Sequence, residues 1–127
     1  MSTGQTILWV DDDAEFVRDV LAVWHPHERV TTVRDCAEAR RELADYCPAL
    51  VILDLKTPDP SAPAGGEGGL GLLEYIRREC RSGTPVLVLT GDERPTVLDR
   101  AAGLGAYAIL PKSHAITTIA QIAEQKL

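Results

Sequence analysis

Short apolar runs alternate with amphipathic stretches from one end of the chain to the other, five of each. Runs of this length suit strands, and apolar positions spaced three and four apart mark one face of a helix, so the alternation predicts βα units around a parallel sheet. The first run, Thr6 to Val10, precedes a helix over 14–24 in which Phe16, Val17, Val20, Leu21 and Trp24 recur at helical spacing; Pro26 closes it. The β-branched stretch Arg29 to Val33 precedes a helix reaching about Tyr46, opened by Asp35 and Glu38 in a capping-box pattern. Beyond Pro48, Leu50 to Leu53 is continuously apolar, as expected of a central strand buried on both faces. Pro85 to Leu89 and Ala106 to Leu110 read as the fourth and fifth strands. The remaining helices are expected over 70–81, 95–102 and 115–125, the last with Ile116, Ile119, Ala120 and Ala123 inward. Trp9 and Trp24 are expected in the core.

One stretch interrupts the alternation. Lys56 to Gly69 holds three prolines, four glycines and little that could pack, which predicts a long loop between the third strand and its helix. With no internal repeat and 127 residues, the elements account for a single domain over 1–127 and leave nothing for a second.

In an open parallel sheet, ligands gather beyond the carboxyl ends of the strands. The residues there are Asp11-Asp12-Asp13 after the first strand, Asp54 after the third, Thr90-Gly91-Asp92 after the fourth and Pro111-Lys112-Ser113 after the fifth. Carboxylates crowded on one edge repel one another, and a divalent cation relieves that repulsion. Hard oxygen ligands of this kind suit Mg²⁺, which bridges protein carboxylates to phosphoryl groups. The Thr90 hydroxyl and the Lys112 ammonium would supply donors to the remaining phosphoryl oxygens, and Asp54 is a candidate carboxylate nucleophile. Asp13 suits the N-cap of the first helix.

Composition narrows the partners. A formal net charge of -6 argues against a nucleic-acid surface spread over the domain. No apolar run approaches a membrane span, and the first residues lack a signal-peptide pattern, so a cytoplasmic protein without membrane insertion is expected. Cys36, Cys47 and Cys80 are odd in number and never spaced C-x-x-C, which fits neither a disulfide framework nor a zinc cluster; reduced, mostly packing cysteines are expected. His25, His27 and His114 are too scattered to share a metal. Lysine is rare beside arginine, with only Lys56, Lys112 and Lys126, so a lysine after the fifth strand points to a compact charge.

Ile7-Leu-Trp-Val-Asp-Asp-Asp13, Leu53-Asp-Leu-Lys-Thr-Pro58, Leu89-Thr90 and Leu110-Pro-Lys112 together resemble, in order and spacing, the receiver domains of two-component response regulators. The resemblance covers essentially the whole chain. It implies a flavodoxin-like, doubly wound α/β fold, a (βα)5 parallel sheet with strand order 2-1-3-4-5. It makes Asp54 the acceptor of a phosphoryl group from a histidine kinase or a histidine phosphotransfer protein. Asp12 then corresponds to the direct metal carboxylate and Asp11 to the one reaching Mg²⁺ through water. The backbone carbonyl of Lys56 corresponds to the third protein ligand, Thr90 to the switch hydroxyl, and Lys112 to the phosphate-contacting ammonium. A downstream output protein is implied, because no output domain is expected on the chain. Such a domain promotes only its own phosphorylation and dephosphorylation.

The chain departs from the pattern in three places. Ile109 stands where receivers commonly carry an aromatic three positions before the lysine; Tyr107 is two residues earlier and, by strand alternation, on the same face. Relative to D-x-x-x-P-G-x-D-G-L, the loop over 57–69 carries about seven extra residues, either a tolerated insertion or a docking or site-covering element. Lys56 and Asp92 stand two residues after Asp54 and Thr90, where an ion pair across the mouth would slow hydrolysis of an aspartyl phosphate. Two alternatives stay open: a receiver-like interaction module working without regulated phosphorylation, and a Mg²⁺-dependent phosphohydrolase. The latter usually carries a D-x-D nucleophile on its first strand, unlike Asp54.

Overall fold

A computed structural model of the chain describes residues 5–62, 68–80, 83–91, 94–114 and 116–127. Strands β1 (Thr6–Val10), β2 (Arg29–Val33), β3 (Leu50–Asp54), β4 (Val86–Thr90) and β5 (Ala108–Pro111) alternate with helices α1 (Ala14–Val23), α2 (Cys36–Asp45), α3 (Gly69–Glu79), α4 (Pro95–Gly103) and α5 (Ile116–Glu124). The strands form one parallel sheet in the order β2-β1-β3-β4-β5, as the resemblance implied.

Each face of the sheet carries its own core. Ile7, Trp9, Leu50, Ile52, Leu87 and Leu89 face Val17, Val20 and Trp24 of the α1 segment and Ile119 and Ala123 of α5. The alternate strand positions, Leu8, Val10, Val51, Leu53, Val86 and Val88, pack on Cys36, Ala39 and Leu43 of α2, on Leu72, Leu73 and Ile76 of α3, and on Ala101 of α4. The period-2 pleat is what splits the apolar runs between two helical layers. β3 and β4 are buried along their full length, which explains why their sequences read as unbroken apolar runs.

The helix starts follow local chemistry. Asp13 caps α1 by accepting from Phe16 N at 3.1 Å, and Asp35 caps α2 by accepting from Glu38 N at 2.8 Å. Glu38 reaches back to Arg34 N at 2.9 Å, so the capping box closes one residue earlier than the N-cap. Two strand starts lie later than the apolar runs suggest. Gly105, at φ +86°, turns the chain after α4, and Ala106 N donates to Ala101 O at 3.2 Å. That helix-terminal bond withholds Ala106 from the sheet, so β5 begins at Ala108.

Tyr107 N still donates to Val86 O of β4 at 2.9 Å, but the residue precedes β5 and its side chain departs from the alternation. Its hydroxyl donates to Gln125 Oε1 and Lys126 Nζ lies 4.7 Å from its ring centre, placing it against the end of α5. Ile109 packs instead on the α2–α3–α4 side. The expectation that Tyr107 shares the face of Ile109 is thus corrected by the register.

Candidate functional site

The register of the sheet staggers the strand ends so that the chemistry-bearing residues converge. Val10 pairs with Leu53, so Asp11 falls beside Asp54; Asp54 pairs with Leu89, so Thr90 lies one step on; Thr90 pairs with Pro111, which presents Lys112. A bond from Lys112 N to Thr90 O, 3.1 Å long, closes that last step.

Asp11, Asp12 and Asp54 bring a carboxylate oxygen each to within 4.8 Å of one another, the only such cluster among the described residues. Asp11 and Asp54 are 3% and 4% exposed, whereas Asp12 faces solvent. Both buried carboxylates are oriented alike. Asp11 Oδ1 accepts from Asp13 N at 3.0 Å and Asp54 Oδ1 accepts from Lys56 N at 3.0 Å, two Asx-type turns that lock each side chain to its own loop. Lys112 Nζ bridges them, 3.0 Å from Asp11 Oδ1 and 3.0 Å from Asp54 Oδ2.

Burial pushes the Asp11 carboxyl up, against the opposing pull of the Asp13 amide and Lys112. Burial also works against a charged Lys112, but its hydrogen bonds to Asp11 and Asp54 outweigh it and hold the ammonium above its ordinary range. Asp11 Oδ2 is buried without a hydrogen-bond partner. Three carboxylates against one ammonium, with a buried oxygen left unpartnered, fit a hard divalent cation, which would supply both the charge and the missing partner.

The remaining expected residues fall as follows. Thr90 ends β4 and is 4% exposed. The Lys56 side chain is exposed while its amide serves Asp54. Asp92, the other half of the expected ion pair across the mouth, lies outside the described residues, as does 63–67 of the long loop. The described start of that loop folds onto α2: Asp59 Oδ2 meets Arg40 at 2.9 Å, and Asp59 Oδ1 accepts from Ser61 Oγ at 2.6 Å.

Two contributors escaped the sequence reading. Lys112 Nζ lies 4.7 Å from the ring centre of Phe16, whose ring in turn meets Trp9 edge to face at 6.4 Å. Phe16 was legible only as one apolar position of α1, although its place one turn after Asp12 carries it to the sheet edge. Thr57, wholly buried, donates from Oγ1 to Val10 O at 3.3 Å and ties the start of the loop to the strand that supplies Asp11.

Comparison with known proteins bears on the family and the fold. The response regulator receiver domain model matches residues 7–124. The curated protein PetR of Rhodobacter capsulatus is 34% identical over 116 residues; these cover 88% of this chain but 44% of PetR, so the chain spans less than half of that relative. A CheY-like receiver domain protein of Methanospirillum hungatei superposes with a TM-score of 0.81 at 22% identity, covering 96% of this chain and 92% of its own. A Burkholderia pseudomallei response regulator, solved with a phosphorylated aspartic acid, calcium ion and citrate, superposes with a TM-score of 0.75 at 19% identity, covering 94% and 66%. Among the described residues no helix is long and apolar enough to cross a membrane.

Proposed function

The chain belongs to the response regulator receiver domain family, and from that membership we propose that it takes a phosphoryl group from a phosphohistidine donor, a histidine kinase or phosphotransfer protein, onto Asp54. Working in the cytoplasm, it then signals to an output protein. The observation that carries this reading is the Lys112 ammonium bridging Asp11 and Asp54 at 3.0 Å inside a cluster of three carboxylates.

Asp11, Asp12, Asp54 and the backbone carbonyl of Lys56 would hold Mg²⁺, which supplies charge neutralisation to a carboxylate meeting an anionic phosphoryl group. This chain's own residues do the positioning. Asp54 is held by the Lys56 amide through Oδ1, so its side chain is oriented before any donor arrives. A carboxylate oxygen of Asp54 forms the new O–P bond as the P–N bond to the donor imidazole breaks and the electron pair leaves with that nitrogen. Lys112 follows the developing charge onto the phosphoryl oxygens, and the Thr90 hydroxyl donates to another of them. The phosphorylated aspartate and divalent cation in the Burkholderia relative support the same chemistry here.

The test is incubation with acetyl phosphate and Mg²⁺, read by intact mass. A gain of one phosphoryl group that is absent in Asp54→Asn and without Mg²⁺ is expected; an unmodified chain, or equal gain in Asp54→Asn, overturns the assignment. A second reading, an interaction module working without regulated phosphorylation, is favoured by Ile109, an aliphatic residue packed on the α2–α3–α4 core where the family commonly carries a mobile aromatic. Absence of mass gain in the same experiment selects it.

A further inference from the structure

Thr57 stands at the start of the long loop, wholly buried, and its hydrogen bonds run to four separate parts of the fold. Thr57 N donates to Asp54 O at 3.1 Å, and Thr57 Oγ1 donates to Val10 O at 3.3 Å. Thr57 O accepts from Gly68 N at 3.0 Å and from the Cys36 thiol at 3.8 Å. Val10 is the last residue of β1, Asp54 the last of β3, Cys36 the first of α2 and Gly68 the N-cap of α3. One residue thereby joins two strand ends and two helix starts.

Two of these bonds bear on the acidic site. A trans peptide sets its C=O and N–H in one plane and pointing in opposite directions, and among the described residues no peptide bond is cis. The Thr57 N–H shares its peptide with the Lys56 carbonyl, so its bond to Asp54 O sets the direction of that carbonyl. The Thr57 hydroxyl then ties the same peptide to Val10, the residue before Asp11 and Asp12. Valine would fill this buried place with the same shape and no hydroxyl to satisfy, so packing alone does not call for threonine.

We propose that Thr57 is a positioning residue for the metal site, its hydroxyl holding the Lys56 carbonyl in fixed relation to the Asp11-Asp12 pair across two strand ends. This rests on the receiver reading above, in which those groups hold Mg²⁺. Mg²⁺ demands near-ideal octahedral geometry, whereas Ca²⁺ accepts irregular and more numerous oxygen ligands. A carbonyl released from β1 therefore weakens Mg²⁺ binding more than Ca²⁺ binding. The Asp54 carboxylate is held independently, by the Lys56 amide and by Lys112, so the nucleophile keeps its place when the hydroxyl is lost. The hydroxyl thus acts on metal affinity and on the choice between cations, and leaves the phosphoryl transfer step itself unchanged.

The test is calorimetric titration of the whole chain with MgCl₂ and, separately, with CaCl₂, for the wild type, Thr57→Val, Thr57→Ser and Thr57→Ala. Wild type against Thr57→Val and Thr57→Ser against Thr57→Ala each isolate the hydroxyl, and the second pair carries the comparison if Thr57→Val does not fold. In each pair, loss of the hydroxyl is expected to weaken Mg²⁺ binding about tenfold, as for other groups that orient metal ligands, and Ca²⁺ binding by no more than about twofold. With acetyl phosphate, the Mg²⁺ concentration for half-maximal phosphorylation rises by the same factor, while the rate at saturating Mg²⁺ stays at that of the hydroxyl-bearing partner. Equal weakening of both cations, or unchanged Mg²⁺ affinity beside a lowered unfolding midpoint, overturns the proposal and leaves the hydroxyl as a plain strand-end bond. A wild-type chain that takes up no Mg²⁺ overturns the receiver reading, and this proposal with it.

Discussion

Lys112 stands 3.0 Å from an oxygen of Asp11 and 3.0 Å from an oxygen of Asp54, with its ammonium against the ring of Phe16. The two carboxylates fix its charge; the aromatic ring fixes its direction of approach, since a desolvated ammonium over a ring gains roughly 0.5–2 kcal/mol. An aliphatic residue of similar bulk keeps the packing on Trp9 but removes the ring's negative face. Phe16→Leu is therefore expected to slow phosphorylation by acetyl phosphate about three- to tenfold, and Phe16→Tyr to remain near the wild type. Measuring the rate against donor concentration checks this. Equal rates for Phe16→Leu and wild type at every donor concentration would show that the ring is only core. Gly69 shows the same logic in backbone form, because a Cβ there would meet the Leu55 backbone at 2.4 Å, leaving no room between α3 and the residue after Asp54.

At the scale of elements, the start of the long loop is clasped to α2. Arg40 and Ser61 hold Asp59, and Arg40 also lies over the Tyr75 ring of α3 at 5.9 Å. The Arg40 guanidinium, with the Ser61 hydroxyl, lowers the Asp59 carboxyl to about 2, below the roughly 3.9 of an unfolded aspartate. A group depressed by folding stabilises the native state above its unfolded pKa and loses that contribution as pH falls through its folded value. Asp59→Asn is thus expected to cost roughly 1–2 kcal/mol at pH 7, about half of that near pH 3, and nothing below the folded value. Urea unfolding of both chains across this range measures it, and a pH-independent difference would assign the loss to packing. This clasp also marks where sequence patterning stops. Caps such as Asp13 and Asp35, the apolar runs of β3 and β4 and the residues at the strand ends lie within single elements, where spacing is informative. Arg40 with Asp59 and Phe16 with Lys112 join separate elements through side-chain reach, which no periodicity records. Tyr107 was misjudged for a related reason: alternation holds only inside a strand, and the helix-terminal bond at Ala106 moves the start of β5 beyond it.

For the whole molecule, a formal net charge of -6 is unevenly spent, because three of the acidic side chains crowd one sheet edge with a single lysine between two of them. Burial already disfavours the ionised form of Asp11, so the folded chain carries a repulsive pocket that the unfolded chain lacks. A divalent cation bound there stabilises only the folded state, by about 1.4 kcal/mol at ten times its dissociation constant. For a domain of this length that raises Tm by about 4–6 °C. Asp12→Asn should act in two opposite directions. Without Mg²⁺ it removes a like charge from the cluster at an exposed position and raises Tm; with Mg²⁺ it abolishes most of the further rise. Thermal melts of the two chains with Mg²⁺, against sodium at matched ionic strength, separate site binding from screening. Equal stabilisation by sodium, or an undiminished Mg²⁺ response in Asp12→Asn, would mean that the cluster repels without binding, and that its charge is relieved by Lys112 alone.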